Sequence, residues 1–214
     1  MLTQLTGPLC DAVTGRTQSR AMLESLYASN AFVIPLDDEH EWFRYHHLFA
    51  DLLRNQFKRT QAQDAATLHQ RASEWYEKQG MAPDAIEHAF AAGDYPRTVR
   101  LLESHTRRVV LQGYAQTVEE WLRRLPQDWR IAGPRTNLAF ALSLLLRGHL
   151  GEIEPYLHDA EAAIAERRQL DGDPGADALL AETLSLRAGL AAVKGDPARA
   201  ALLAQEAVAI APQS

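Results

Sequence analysis

Cysteine is nearly absent: Cys10 is the single one in 214 residues. One thiol cannot close an internal disulfide, which points to a reducing compartment and a cytoplasmic setting. No His/Asn constellation accompanies Cys10 locally, so it reads as a small apolar residue rather than a nucleophile. Long apolar runs are also missing. No stretch approaches the ~18 consecutive apolar residues of a membrane span, and the first residues lack the basic-then-apolar order of a secretory leader. An excess of positive charge is absent too, since 22 Lys and Arg stand against 28 Asp and Glu, for a formal charge of −6. That balance argues against direct grip on nucleic acid, which needs clustered cations against phosphate. Arg107, Arg108, Arg123 and Arg124 are mixed with acids and read as solvated helix faces.

Chemical fingerprints are likewise missing. Neither Gly-x-x-x-x-Gly-Lys-Ser/Thr nor Gly-x-Gly-x-x-Gly occurs, and there is no Gly-x-Ser-x-Gly elbow. Eight histidines are present, at positions 40, 46, 47, 69, 88, 105, 149 and 158, and none pairs with another at i, i+3 or i, i+4. No metal site is expected. Glu119-Glu120 and Asp37-Asp38 read as solvated acids, Trp75 and Trp121 as core, and no catalytic residue is assigned.

What is present is helical punctuation around one change of period. A short helix is expected over Leu9–Val13, ending near Gly15. A second spans Thr17–Ser29, with Met22, Leu23, Leu26 and Tyr27 at helical spacing and Thr17 or Ser19 able to cap it. Phe32, Ile34 and Leu36 then alternate as a strand does, Asp37–His40 turns, and Glu41–Tyr45 returns. Helix, hairpin and helix in this order predict a small winged-helix-like subdomain over residues 1–60, whose hairpin must pack on its helices because two strands alone are marginal.

From His47 onward every segment reads as helix. Leu48, Phe49, Leu52, Leu53 and Phe57 are expected to line one face of the first. Leu68, Ala72, Trp75 and Tyr76 mark the next, Ile86, Ala89 and Phe90 a third, Val99, Leu101 and Leu102 a fourth, and Val118, Trp121, Leu122 and Leu125 a fifth before Pro126. Helices over 137–146, 152–164, 176–193 and 198–210 follow. Similar turns at Gly93, Gly148 and Gly195 join them in pairs. These glycines stand 55 and 47 residues apart, longer than the ~34-residue tetratricopeptide (TPR) period. The last repeat fits that register best: with Pro212 set at its proline position, Ala188, Ala200 and Ala207 fall where small residues let helices approach, although Leu184 stands where the register has Trp. The expected architecture is mainly α: the winged-helix-like part, an arm of irregular repeats over 61–130, and a TPR-like antiparallel helical-repeat solenoid over 131–214.

The stretch Phe43-Arg44-Tyr45-His46-His47-Leu48-Phe49-Ala50-Asp51-Leu52-Leu53 resembles the winged-helix region of large bacterial MalT-like regulators, the ATP-binding LuxR-type group within the STAND ATPases. Gly7–Gly15 and Phe32–Asp38 resemble flanking parts of the same region. Leu68–Tyr76, Ala85–Asp94 and Trp121-Leu122-Arg123-Arg124-Leu125-Pro126 resemble the first helices of its sensor arm. The resemblance is strong to about residue 150 and generic beyond. It implies a parent protein with an N-terminal ATPase module that binds ATP and ADP, this winged helix and arm, and a C-terminal DNA-binding domain. Both ends of the sequence read as interior to such a chain, so this part is expected to hold no cofactor, to bind no DNA directly and to touch no membrane. Its expected partners are those two modules, an inducer or protein on the helical arm, and further copies of itself on activation. Related STAND proteins place a Met-His-Asp histidine against the β-phosphate of ADP. Tyr45-His46-His47 matches that place, which makes His46 the candidate phosphate contact, with His47 departing from the pattern where Asp is usual. The competing reading is a TPR-type protein-binding scaffold without a nucleotide switch.

Overall fold

The computed structural model describes residues 2–60, 64–126, 129, 133–171 and 175–211. The chain divides after Asp94 into two compact units, residues 1–94 and 95–214. That boundary falls inside the segment 61–130.

The first unit begins with α1 (Gly7–Thr14). The Thr6 hydroxyl accepts from the Leu9 N–H at 3.1 Å and caps its start, and Pro8 occupies the first turn where no N–H is needed. Helix α2 (Ser19–Ala28) follows. Its cap differs from the Thr17 or Ser19 expected: Gln18 sits there in the left-handed region without a side-chain bond, and the Asp11 carboxylate accepts the Ser19 N–H instead, at 3.0 Å. Of its apolar residues Leu23 is buried, whereas Met22 and Tyr27 are exposed.

Strands β1 (Val33–Pro35) and β2 (Phe43–Tyr45) pair antiparallel, Val33 opposite Tyr45 and Pro35 opposite Phe43. The wing turn is organised by Asp37, whose two carboxylate oxygens accept from the Glu41 and Trp42 N–H groups at 2.8 and 3.0 Å. Asp37 is thus a structural acceptor, half-buried, and not a freely solvated acid. Leu5 exchanges two hydrogen bonds with Phe43 on the outer side of β2, both 2.8 Å. Strand β2 is consequently flanked on both edges, by β1 and by Leu5, and Phe43 closes a small core with Leu5, Leu23 and Val33.

Helix α3 (His47–Thr60) leads to α4 (Ala65–Lys78) and α5 (Ala82–Ala92). The expected single apolar face of α3 divides in two. Phe49, Leu53 and Phe57, four residues apart, are half-buried, while Leu48 and Leu52 are exposed. Helices α4 and α5 pack as a hairpin, with Ala72, Ala85, Ile86 and Ala89 buried between them. The Ser73 hydroxyl donates to the Ala85 carbonyl at 2.7 Å across that seam. Helix α4 also lies against α1, where Arg71 donates to the Val13 carbonyl. Trp75 is half-buried, edge-on to Trp42 of the wing at 6.4 Å.

The second unit is a run of antiparallel helices: α6 (Tyr95–Leu111), α7 (Ala115–Arg124), α8 (Pro134–Leu146), a 3-10 turn (Leu150–Glu152), α9 (Ile153–Asp171), α10 (Ala176–Val193) and α11 (Pro197–Ile210). Each packs on its chain neighbour, and α8 also contacts α6 and α10. Trp121, Leu101, Leu138, Leu144, Leu157 and Ile164 fill the interior. The glycine turns share one hydrogen-bond pattern. After Gly148 (φ 79°) the His149 N–H returns to the Leu144 carbonyl at 2.9 Å, and after Gly195 (φ 83°) the Asp196 N–H returns to Ala191 at the same distance. That closure needs a left-handed residue, which glycine supplies without a Cβ penalty. Ala188 and Ala207 are buried where α10 meets α11, and Ala200 is half-buried; Pro212 lies outside the described residues.

After Asp37, a second acid departs from the sequence reading. Glu119 is not solvated: it is 5% exposed. It faces α8, with the Ser143 hydroxyl at 3.5 Å and Arg147 Nε at 3.6 Å. Glu103 of α6 caps α8, its carboxylate accepting the Thr136 N–H at 2.6 Å.

Candidate functional site

The wing-to-helix corner is built by backbone constraint. Phe32 holds a positive φ of 58°, costly for a bulky residue. This turns its carbonyl to accept the His46 N–H at 2.7 Å. The His46 carbonyl in turn accepts the Ala50 N–H at 2.9 Å and opens α3. Both backbone groups of His46 are therefore spent on the strand–helix junction, which fixes where its ring emerges. The imidazole is half-buried, and His47 beside it is exposed, with ring centroids 4.3 Å apart. Phe32 stacks on Phe49 at 5.2 Å, and Tyr45 meets Phe49 edge-on at 5.7 Å. Phe32, Leu48 and Leu52 expose 60, 68 and 60% of their surface around this corner. It presents an imidazole within an apolar rim, a setting in which a hydrogen bond from the ring to an oxyanion is strengthened by partial exclusion of water.

Of the other histidines, two come together that no helical spacing links. His69 of α4 and His88 of α5, nineteen residues apart, place their Nδ1 atoms 2.8 Å from one another. One ring donates and the other accepts, so at least one of the two imidazoles must be neutral. Burial lowers the pKa of both, and the neighbouring His69 helps bring His88 down to about 4. His88 also stacks on Tyr76 at 5.3 Å. The only sequence signal was the matching position of each residue on an amphipathic helix of the same hairpin. Among the described residues no cluster of three or more His, Cys, Asp or Glu could hold a metal ion. No helix of the described residues is long and apolar enough to cross a membrane.

Residues 1–65 match the family described as the MalT winged helix domain, the region that contains the hairpin, the His46 corner and α1 to α3. The HTH-type transcriptional regulator MalT of Yersinia enterocolitica is 30% identical over 214 residues, which is 100% of this chain and 23% of that protein. The serine/threonine-protein kinase PknK of Mycobacterium tuberculosis is 34% identical over 182 residues, 82% of this chain and 16% of that protein. The chain thus spans less than a quarter of the length of these relatives. With its winged helix matched and its similarity to MalT running the whole length, the chain belongs to the MalT-like regulators.

Proposed function

We propose that this chain is a regulatory, signal-sensing segment of an ATP-dependent LuxR-type transcription regulator, and that it carries no enzymatic step of its own. In the whole protein it connects a nucleotide-binding ATPase module to a DNA-binding domain, and His46 contacts the β-phosphate of ADP. The observation that supports the His46 role is its corner: both of its backbone hydrogen bonds are committed to the strand–helix junction while the imidazole stays half-buried beside an exposed apolar rim. ADP then favours a resting arrangement, and an inducer or protein on the helical arm favours release and self-association. Such a shift requires the inducer to bind the released state more tightly than the resting one.

The similarities favour an input role. One relative is named a kinase and the other an HTH-type transcriptional regulator, so the stretch they share with this chain is common to different named outputs. The stacked helices of residues 95–211 offer an extended surface for a ligand. A protein-binding scaffold of TPR type without a nucleotide switch has one observation in its favour, the exposure of Leu202 and Val208 on α11.

Two measurements test this reading. By calorimetry, the 214-residue chain alone is expected to show no micromolar affinity for ATP or ADP. In the full-length protein, His46→Ala is expected to weaken ADP about 10- to 100-fold, as loss of a charge-assisted hydrogen bond does, and to raise basal transcription. Unchanged ADP affinity with unchanged basal transcription refutes the His46 role, and absence of a Gly-x-x-x-x-Gly-Lys-Ser/Thr motif from the full-length protein would favour the scaffold.

A further inference from the structure

The first unit contains a cavity that the nucleotide reading does not use. It has a volume of about 210 Å³ and lies where α1, β2, α3, α4 and α5 converge. Its walls are predominantly apolar, with Leu5, Val13, Phe57, Leu68 and Ala72 among the lining side chains. It is a half-open cleft rather than a sealed void, and its volume is enough to admit a small ring compound.

Five polar side chains also line it: Cys10, Thr14, Tyr45, His69 and His88. None brings a charge at neutral pH. Burial, followed by the nearby Asp11, pushes the Cys10 thiol up to about 11, and burial with Cys10 as neighbour raises Tyr45. Burial favours the neutral form of His69 and His88, and the 2.8 Å contact between their Nδ1 atoms needs at least one of them neutral to accept. A thiol held in its protonated form is a poor nucleophile, which favours binding over covalent chemistry here. A charged guest would lose its hydration and find no counter-charge among the lining side chains.

From the apolar walls, the volume and the uncharged polar groups together, we propose that the winged helix is itself a receptor for a neutral, largely apolar small molecule of about indole size, bound between α1 and the α4–α5 hairpin. Five elements meet at the cavity, so a guest touches the hairpin strand that leads into His46 as well as the helices behind it. Input would then reach the regulator through the wing's own core, separately from any inducer on the helical arm. The inference does not depend on the nucleotide role of His46, which does not line the cavity.

Indole is the probe. In methyl-resolved NMR of the 214-residue chain, indole is expected to bind saturably with a Kd on the order of 0.1–1 mM, as suits a ligand of about ten heavy atoms. The shifts should concentrate on Leu5, Val13, Leu68 and Ala72. Indole-2-carboxylate should bind at least tenfold more weakly. Ala72→Leu fills the space and should weaken indole at least tenfold; Ala65→Leu, at a half-buried lining position, does the same should Ala72→Leu fail to fold. The proposal is overturned by no saturation at 5 mM indole (roughly 5- to 50-fold above the expected Kd), by equal binding of the carboxylate, by shifts centred elsewhere, or by undiminished affinity in a folded, filled variant. His46→Ala should leave indole affinity unchanged, so failure of the cavity and failure of the nucleotide contact are separately visible.

Discussion

Glu119 offers the sharpest test of the helical arm's energetics. The residue is 5% exposed, yet its carboxylate's partners are distant: Ser143 Oγ at 3.5 Å and Arg147 Nε at 3.6 Å. At an effective dielectric of about 20, unit charges at that separation attract by about 4–5 kcal/mol. Arg147 is 36% exposed, so solvent screens much of this and the pair is worth about 1–2 kcal/mol. Arg147→Met keeps the apolar stem but leaves the buried carboxylate with only a hydroxyl, and should cost about 2 kcal/mol. Glu119→Gln keeps the volume and the hydroxyl contact and should cost about 1 kcal/mol. The double substitution should cost less than the sum of the two by about 1 kcal/mol, because Arg147 then has no buried carboxylate to neutralise. Since two units need not unfold together, native-state hydrogen exchange at Val118–Leu122 and Leu138–Leu144 is the appropriate assay. A coupling below ~0.3 kcal/mol, with Arg147→Met itself within ~0.5 kcal/mol of the parent, would refute the assignment of Glu119 as a buried, Arg-dependent acid.

Acid should weaken the first unit. His69 and His88 have folded-state pKa values below their ordinary ones, so the unfolded chain binds protons first as pH falls. Their effect is nil above about pH 6.5; stability then drops between there and about 4, the folded value of His88. Allowing for partial solvation the loss is about 1–2 kcal/mol, and His88→Phe, which can still stack on Tyr76, should flatten the slope seen by hydrogen exchange in α5. Gln18→Gly should raise the stability of the first unit by about 0.5–1 kcal/mol in urea titration, because Gln18 holds a φ of 73° with no side-chain cap to lose. Gly133→Ala should cost about 1–2 kcal/mol, since a Cβ there meets the Glu103 carboxylate that caps α8; combined with Glu103→Ala the cost should not add, as both remove the same cap.

Local order was legible in the sequence wherever it rests on neighbours along the chain. Gly15 ends α1 as expected, although the helix opens at Gly7 under the Thr6 cap rather than at Leu9; the Phe32–Leu36 alternation contains β1, and the Gly148 and Gly195 turns end their helices where expected, because left-handed turns are decided within a few residues. The resemblance around Tyr45-His46-His47 was legible for the same reason: a motif is a contiguous pattern. Trp121 could be assigned to the core from its stripe alone.

Other features depended on which element packed against which. Periodicity grouped Leu48 and Leu52 with Phe49, Leu53 and Phe57, but only the latter three meet the rest of the unit. Glu119 looked like one of two surface acids until α8 was laid over it. The His69–His88 contact, the Leu5–Phe43 pairing and the cavity beside Cys10 join residues far apart in the chain. Helices, hairpin, turns and family could be read along the chain, since hydrogen-bond closure and side-chain period act locally. The tertiary structure alone decided which charges are buried, which histidines meet and where space is left, because burial and long-range contact belong to no single stretch of chain.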